Sequence, residues 1–367
     1  MRIRRPNEIR DAPRDSPSTL SGYHYSRFWS GFFREGGAGD DQETHAYLAL
    51  QQRGGPFAAE AAMHLRGIRF ACLWVVIGVA ALRTAAAATT IIDNAAIYPE
   101  APLWIDGKLL YVEYAGPGIK LWTGGRTQLY WRKEHCGPSG LIAFADHHLL
   151  VACYDSNSIV ELDAAGKELR VIAKDSAGNP FTGPNDFAPD GAGGIYVSTS
   201  GVFDFAAPIT GTILHLAADG GRLVEVANTI HYPNGLTVSQ DGTQLLVAEM
   251  LAARILSFAI LPGGRLGERR VWARLQDIAP PTPHTDAYNG PDGFKLGPDG
   301  NYYIAQNGSG RVLVVDANKH LVRSIDVEAP YVTNMNFGPD GARIVFITAV
   351  FDPWKAPYPG VVYRWIK

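Results

Sequence analysis

Six times between residues 106 and 349 a short turn leads into a five-residue apolar strand. The spacing of these units, roughly 40–55 residues, leaves none of them enough chain to enclose a core of its own. The strands run Leu109–Glu113, Leu149–Cys153, Ile195–Thr199, Leu245–Glu249, Tyr302–Gln306 and Val345–Ala349. Turns before them include Asp106-Gly107, Asp241-Gly242 and Asp299-Gly300. Asp-Gly between alternating apolar residues signals a hairpin, because the turn needs positive φ. Further strands follow, among them Ser158–Leu162, Arg254–Phe258 and Arg311–Val315.

Units of a few short antiparallel strands, each with an uncovered face, must stack on one another. Six in-phase units suit a radial stack better than a sandwich pair or a solenoid. The expected fold is an all-β, six-bladed β-propeller over residues 89–367. Its last unit reaches Lys367 after three strands. Thr89–Asp93 is therefore expected to supply the outer strand and close the ring, which removes exposed sheet edges.

The residues before the repeats differ from them. Residues 1–62 hold eight Arg against eight acids and show no periodicity, as expected of an extension upstream of the true start. Met63 to Arg69 is short and basic, Phe70 to Leu82 is an apolar run of thirteen, and Ala85–Ala88 is a small-residue end. Those three parts make a secretory signal over 63–88, cleaved after Ala87 or Ala88, and the run is short for a membrane span. A periplasmic or secreted protein is expected; an uncleaved anchor is the alternative. Cleavage removes Cys72 and leaves Cys136 and Cys153, either as a disulfide or as two inert thiols. A net charge of −3, from 33 Lys and Arg against 36 Asp and Glu, lacks the basic excess of a nucleic-acid binder.

One polar residue recurs ahead of each apolar strand, usually after Pro. Glu100 stands twelve before Val112, Ser139 twelve before Val151, Asn185 twelve before Val197, Asn234 thirteen before Val247, and Asp292 twelve before Ile304. Thr333-Asn334 holds the matching place in the sixth unit. Any single Pro-Asn-Gly or Pro-Asp-Gly is ordinary turn chemistry. Several in one phase are harder to attribute to turns, and on a propeller they would converge on the axis. Two carboxylates and two amides are hard oxygen donors, suited to calcium, with zinc or manganese as alternatives.

Tyr98–Trp104, Gly183–Phe187, Tyr232–Val238, Leu245–Met250, Gly290–Phe294 and Thr333–Gly338, in this order, resemble the senescence marker protein/gluconolactonase family of six-bladed calcium propellers, which includes regucalcin and bacterial gluconolactonases. The resemblance covers about residues 98–350. It implies one divalent metal held by Glu100, Asn185, Asn234 and Asp292, with Asp292 also the general base. Ser139, Asn185 and Tyr154 are the expected substrate contacts. Members that bind aldonolactones often carry Arg where this chain has Gly183, and many carry Asn in place of Ser139. The implied reaction is metal-assisted hydrolysis of a small-molecule lactone. The alternatives are a phosphotriesterase- or paraoxonase-like hydrolase on the same scaffold, or a calcium-binding propeller without catalysis.

Lesser candidates are His231 and His284, more readily read as solvated loop histidines, and Thr199, Glu249 and Asn307 at strand ends. Trp104, Trp122, Trp131, Trp272 and Trp354 are expected to pack between blades.

Overall fold

The computed structural model describes residues 88–282, 285 and 289–367. The upstream extension, residues 63–87 of the signal segment, Cys72 and His284 lie outside the described residues. Within them the all-β expectation holds. Strand β1 (Ala88–Ile97) is followed by five groups of four strands. These are β2 (Pro99–Ile105), β3 (Lys108–Glu113), β4 (Gly118–Trp122) and β5 (Thr127–Arg132); then β6 (Pro138–Ala143), β7 (Leu149–Cys153), β8 (Ser158–Leu162) and β9 (Glu168–Ile172). The third group is β10 (Pro184–Pro189), β11 (Ile195–Thr199), β12 (Gly211–Leu216) and β13 (Leu223–Ile230). The fourth is β14 (Pro233–Val238), β15 (Gln244–Glu249), β16 (Arg254–Leu261) and β17 (Arg265–Arg274). The fifth is β18 (Gly290–Leu296), β19 (Tyr302–Asn307), β20 (Arg311–Val315) and β21 (Leu321–Asp326). Three strands end the chain, β22 (Tyr331–Gly338), β23 (Gly341–Val350) and β24 (Pro359–Ile366), and β1 pairs antiparallel with β24 from Ala88↔Ile366 to Ile97↔Pro359.

Four groups are separate four-stranded sheets, and a single pair, Asn307↔Tyr331, joins the fifth to the last. Turn chemistry explains the hairpins: Asp106 and Gly107 both adopt left-handed φ, 50° and 75°, as a two-residue turn of this hand requires. Burial is greatest on the second and third strands of the groups and falls on the outermost ones. β7, β8 and β11 are buried along their whole length, whereas β5, β9 and β21 alternate toward solvent. Each first strand touches the next group's first strand, and β22 touches β2.

Apolar clusters fill the spaces between consecutive groups. Val151 and Val160 meet Val112 and Ile119 in one, and Leu109 and Tyr111 of the first group meet Phe346 and Val362 of the last in another. Each buried Val, Leu, Ile or Phe contributes about 1.5–3 kcal/mol. Trp104 stacks on Phe346 with ring centroids 5.4 Å apart, and Trp272 packs edge-on against Tyr302 at 5.3 Å, as expected of wedges between sheets. Trp354 departs from that expectation and lies on an exposed loop. Among the described residues no helix is long and apolar enough to cross a membrane.

Cys136 and Cys153 are bonded to each other and wholly buried, with Cα atoms 4.5 Å apart. The bridge ties the entry of β6 to the end of β7 beside the second candidate position. Closing a 17-residue separation removes enough denatured-state freedom that Cys136→Ala/Cys153→Ala is expected to lower stability by about 3 kcal/mol. Equilibrium urea melts of the two proteins check this, and coincident curves would reject it.

Candidate metal centre

Every first strand breaks its ladder at the same place. The register slips between Glu100 and Leu103, Pro138 and Gly140, Pro184 and Phe187, Pro233 and Leu236, Pro291 and Phe294, and Val332 and Asn334. A bulge adds a residue on one strand and re-aims side chains. Here it takes in each candidate residue except Glu100, which pairs with Val112 immediately before the slip, and this explains why the positions share a sequence phase.

The bulges also let neighbouring strands approach closely. A Cβ on Gly235 would lie 2.2 Å from the Phe294 nitrogen, and one on Gly140 would lie 2.2 Å from the Asn185 carbonyl oxygen. Hydroxyls fasten the same junctions. Ser139 Oγ donates toward the carbonyl oxygens of Pro184 (3.0 Å) and Asn185 (3.2 Å), Ser200 Oγ to Pro233 (2.6 Å), and Thr333 Oγ1 to Pro99 (2.7 Å). Each of the three reaches the carbonyl of the proline before a predicted ligand of the next group, and Ser139 reaches that of Asn185 as well. Ser139 and Thr333 therefore act here as clamps, and only Ser139's lone pairs remain for the substrate contact expected of it.

The structure brings Glu100, Asn234 and Asp292 together and adds Asp186 and Lys295. Asn185 sits in the Asp186 bulge, buried. Burial pushes Asp292 well above the usual carboxylate range; a hydrogen bond from Asn307 Nδ2 to Oδ2 at 2.8 Å opposes this, the negative Asp186 adds to it, and the Asn234 amide lowers it. Glu100 is raised too, by burial first, then by Asp292 and Asp186, with the Ala101 N–H and Lys295 opposing. Glu100 is half-buried, and protein packs closely around its carboxyl. Asp186 accepts from Lys295 Nζ at 3.0 and 2.8 Å, from the Phe187 N–H at 2.7 Å and from Asn334 Nδ2 at 3.4 Å.

Three carboxylates thus face one ammonium, a surplus of two negative charges if all ionise. Asp292 Oδ1 is buried and reached by no donor. An acceptor left unpaired in this way is costly unless something positive meets it. Among the described residues no three His, Cys, Asp or Glu side chains are arranged to hold a metal by themselves. Amide oxygens would have to complete the set; Asn234 stands against Asp292, and Asn185, next to Asp186 in its bulge, is buried. This donor set fits a hard divalent cation.

Around the centre the chain approaches on strained backbone. The residue two before the candidate position has left-handed φ in four groups: Tyr98 (47°), Gly137 (56°), Gly183 (63°) and Tyr232 (61°). A bulky residue at such φ is unusual and must be held there. Glu113 and Glu249 provide the hold, accepting the Ile97 N–H at 3.0 Å and the His231 N–H at 2.8 Å just ahead of the two tyrosines. Glu249 is thereby a brace for the approach. His231, expected as a solvated loop residue, instead has a buried Nε2 and packs edge-on to Phe205 at 6.1 Å. Thr199 hydrogen-bonds within its own sheet, to Thr212.

Aromatic side chains, Tyr98 and Tyr232 of these approaches among them, follow one another in contact. Ring centroids lie 5.2 Å apart for Tyr98–Tyr114, 6.0 Å for Tyr114–Tyr154, 6.4 Å for Tyr154–Tyr232, 4.9 Å for Tyr232–Phe203 and 6.1 Å for Phe203–Trp354. Tyr154 covers Gly183, where a Cβ would meet its ring at 2.8 Å. Its hydroxyl donates to the Gly201 carbonyl at 2.5 Å, and burial pushes its pKa up to about 12.

Sequence reasoning missed Asp186, Lys295 and the aromatic chain. A carboxylate at Asp186, in the slot held by Gly140, Gly235 and Gly293 in other groups, was the available signal. Lys295 carried none.

Fold and centre together define an all-β, propeller-like protein with a buried acid and amide cluster. The family described as SMP-30/Gluconolactonase/LRE-like region matches residues 98–351, and the chain belongs to that family. Regucalcin of Danio rerio is 22% identical over 258 residues, covering 69% of this chain and 82% of that protein. An uncharacterised protein of Sulfolobus acidocaldarius is 30% identical over 141 residues, 38% of this chain; the match spans only 46% of that relative's length. Among solved structures, a calcium-binding regucalcin of Agrobacterium tumefaciens superposes with a TM-score of 0.62 at 20% identity, over 76% of this chain and 93% of its own. A gluconolactonase of Xanthomonas campestris gives 0.61 at 20% identity, over 76% and 89%. At these identities the structural likeness speaks for the fold.

Proposed function

We propose that this protein is an exported hydrolase that opens a lactone with the help of one divalent cation, calcium in the first instance. The observation that carries the reading is Asp292: a buried carboxylate with one oxygen unmet, among two further acids and two amides. The six strand groups are read as the blades of a six-bladed propeller, with β1 completing the last blade and closing the ring. The contact of β22 with β2 and the cluster shared by the first and last groups support this. Export is supported by the buried Cys136–Cys153 bridge, since disulfides persist in oxidising compartments.

Glu100, Asn185, Asn234 and Asp292 would hold the cation. Bound there, it supplies Lewis-acid polarisation of the substrate carbonyl. Asp292 takes a proton from the attacking water, a role suited to a carboxylate whose burial raises its basicity. Asn307 fixes the Asp292 carboxylate by its hydrogen bond to Oδ2. Water oxygen bonds to the carbonyl carbon, the ring C–O bond breaks, and the proton passes to the departing alkoxide. Lys295 holds Asp186 in the neighbouring bulge and limits the charge the cluster must carry.

Chelator-stripped protein is expected to open at least one lactone of a panel (D-glucono-1,5-lactone, γ-nonalactone, dihydrocoumarin) only when calcium, zinc or manganese is restored. pH-stat titration reads the acid released. Turnover of paraoxon alone would favour the phosphotriesterase reading. A cation-dependent rise in melting temperature with no hydrolysis would favour a non-catalytic calcium protein.

A further inference from the structure

We infer that this site takes lactones or esters bearing an apolar or aromatic substituent, in preference to polyhydroxylated ones; the inference rests on the hydrolase reading above. The aromatic chain is the carrying observation. It starts at Tyr98, two residues before Glu100, passes Tyr232, two before Asn234, and covers Gly183, two before Asn185. Its rings therefore stand over the approaches to three of the four candidate ligands. The last contact, Phe203 to Trp354, joins the loop after β11 to the loop after β23. In a ring of six those loops spring from opposite blades, so their meeting spans the mouth. Tyr358, on the second loop, returns to Tyr98 with centroids 6.3 Å apart and completes a collar.

Three of the collar's hydroxyls are engaged within the protein. Tyr154 OH donates to the Gly201 carbonyl, Tyr114 OH donates to Asp155 Oδ1 at 3.0 Å, and Tyr232 hydrogen-bonds Tyr154. A polyol passing here would lose water from its hydroxyls and find few replacement partners, which is costly. An alkyl or aryl group loses nothing polar and gains ring contact.

The two loops confirm the character of the entrance. Val202, Phe205 and Ile209 on one, and Phe351 and Trp354 on the other, are exposed by 36–60%. The remaining exposed large apolar residues of the described chain lie on strands, mostly outer ones. Concentration of apolar surface on two facing loops marks a contact site. The backbone strain at Tyr98, Tyr232 and Tyr358 (φ 47°, 61° and 58°) is held where rings are presented.

The test uses the full chain with calcium. Dihydrocoumarin is expected to be turned over with kcat/KM at least tenfold above D-glucono-1,5-lactone, and Phe203→Ala and Trp354→Ala are each expected to raise the dihydrocoumarin KM several-fold more than they change kcat. Trp354 is on the surface, so this variant is expected to fold even where Phe203→Ala does not, and a thermal melt checks both. A higher kcat/KM for gluconolactone would overturn the inference while leaving the hydrolase reading intact. If no lactone is opened, the hydrolase reading fails, and fluorescence titration separates the two claims. Saturable quenching by dihydrocoumarin but not gluconolactone, weakened in Phe203→Ala or Trp354→Ala, upholds the apolar collar; equal or stronger gluconolactone binding overturns it.

Discussion

Asp292→Asn is expected to lower lactone turnover by about a thousandfold, in the range lost when a general base is removed. It keeps the volume and an oxygen for Asn307 to donate to, and it removes one of the three negative charges. Burial and Asp186 already disfavour the ionised form, so the cation-free variant should melt no lower than the parent. The rise in melting temperature on adding calcium should shrink, because a ligand that binds only the folded state stabilises according to its affinity. Turnover near the parent's would remove Asp292 from the mechanism. A calcium-induced shift equal to the parent's would remove it from the cation site.

Gly235→Ala is expected to have the largest effect on stability. The added methyl would sit 2.2 Å from the Phe294 nitrogen and 2.5 Å from the Asp292 carbonyl oxygen, both backbone atoms that cannot swing aside. Overpacking of this kind costs roughly 3 kcal/mol or more, which for a domain of this size lowers the melting temperature by about 10 °C. The strand that must give way carries Asp292, so activity should fall with stability. Gly242→Ala is the control: its φ of 71° is also left-handed, but nothing lies within 4 Å of its Cβ. Only local strain of about 1–2 kcal/mol opposes it. Equal melting temperatures for the two variants would show that the close approach of β14 and β18 does not constrain the fold.

Much of the centre was legible because it repeats. Glu100, Asn185, Asn234 and Asp292 share a phase with the apolar strands, and the phase exists because each first strand bulges at the same step. Ser139 and Thr333 share that phase too, but their hydroxyls turn to the neighbouring group's backbone. A sequence phase locates the bulge without saying which way each short side chain points. Asp186 escaped for a related reason, since it follows a predicted ligand directly and reads as the second half of a turn. Trp354 reads in the sequence like the packing tryptophans, and only the course of the loop that carries it leaves it at the surface.

Local chemistry, readable along the chain, determined the strands, the hairpin turns and the in-phase oxygen donors. These depend on alternation and spacing over a few residues. The tertiary structure alone decided that Lys295 neutralises Asp186, that Asp292 keeps one oxygen unmet, and that rings from distant segments form one collar. Those facts are distances between groups far apart in sequence, and they come into being only when separately formed sheets pack face to face.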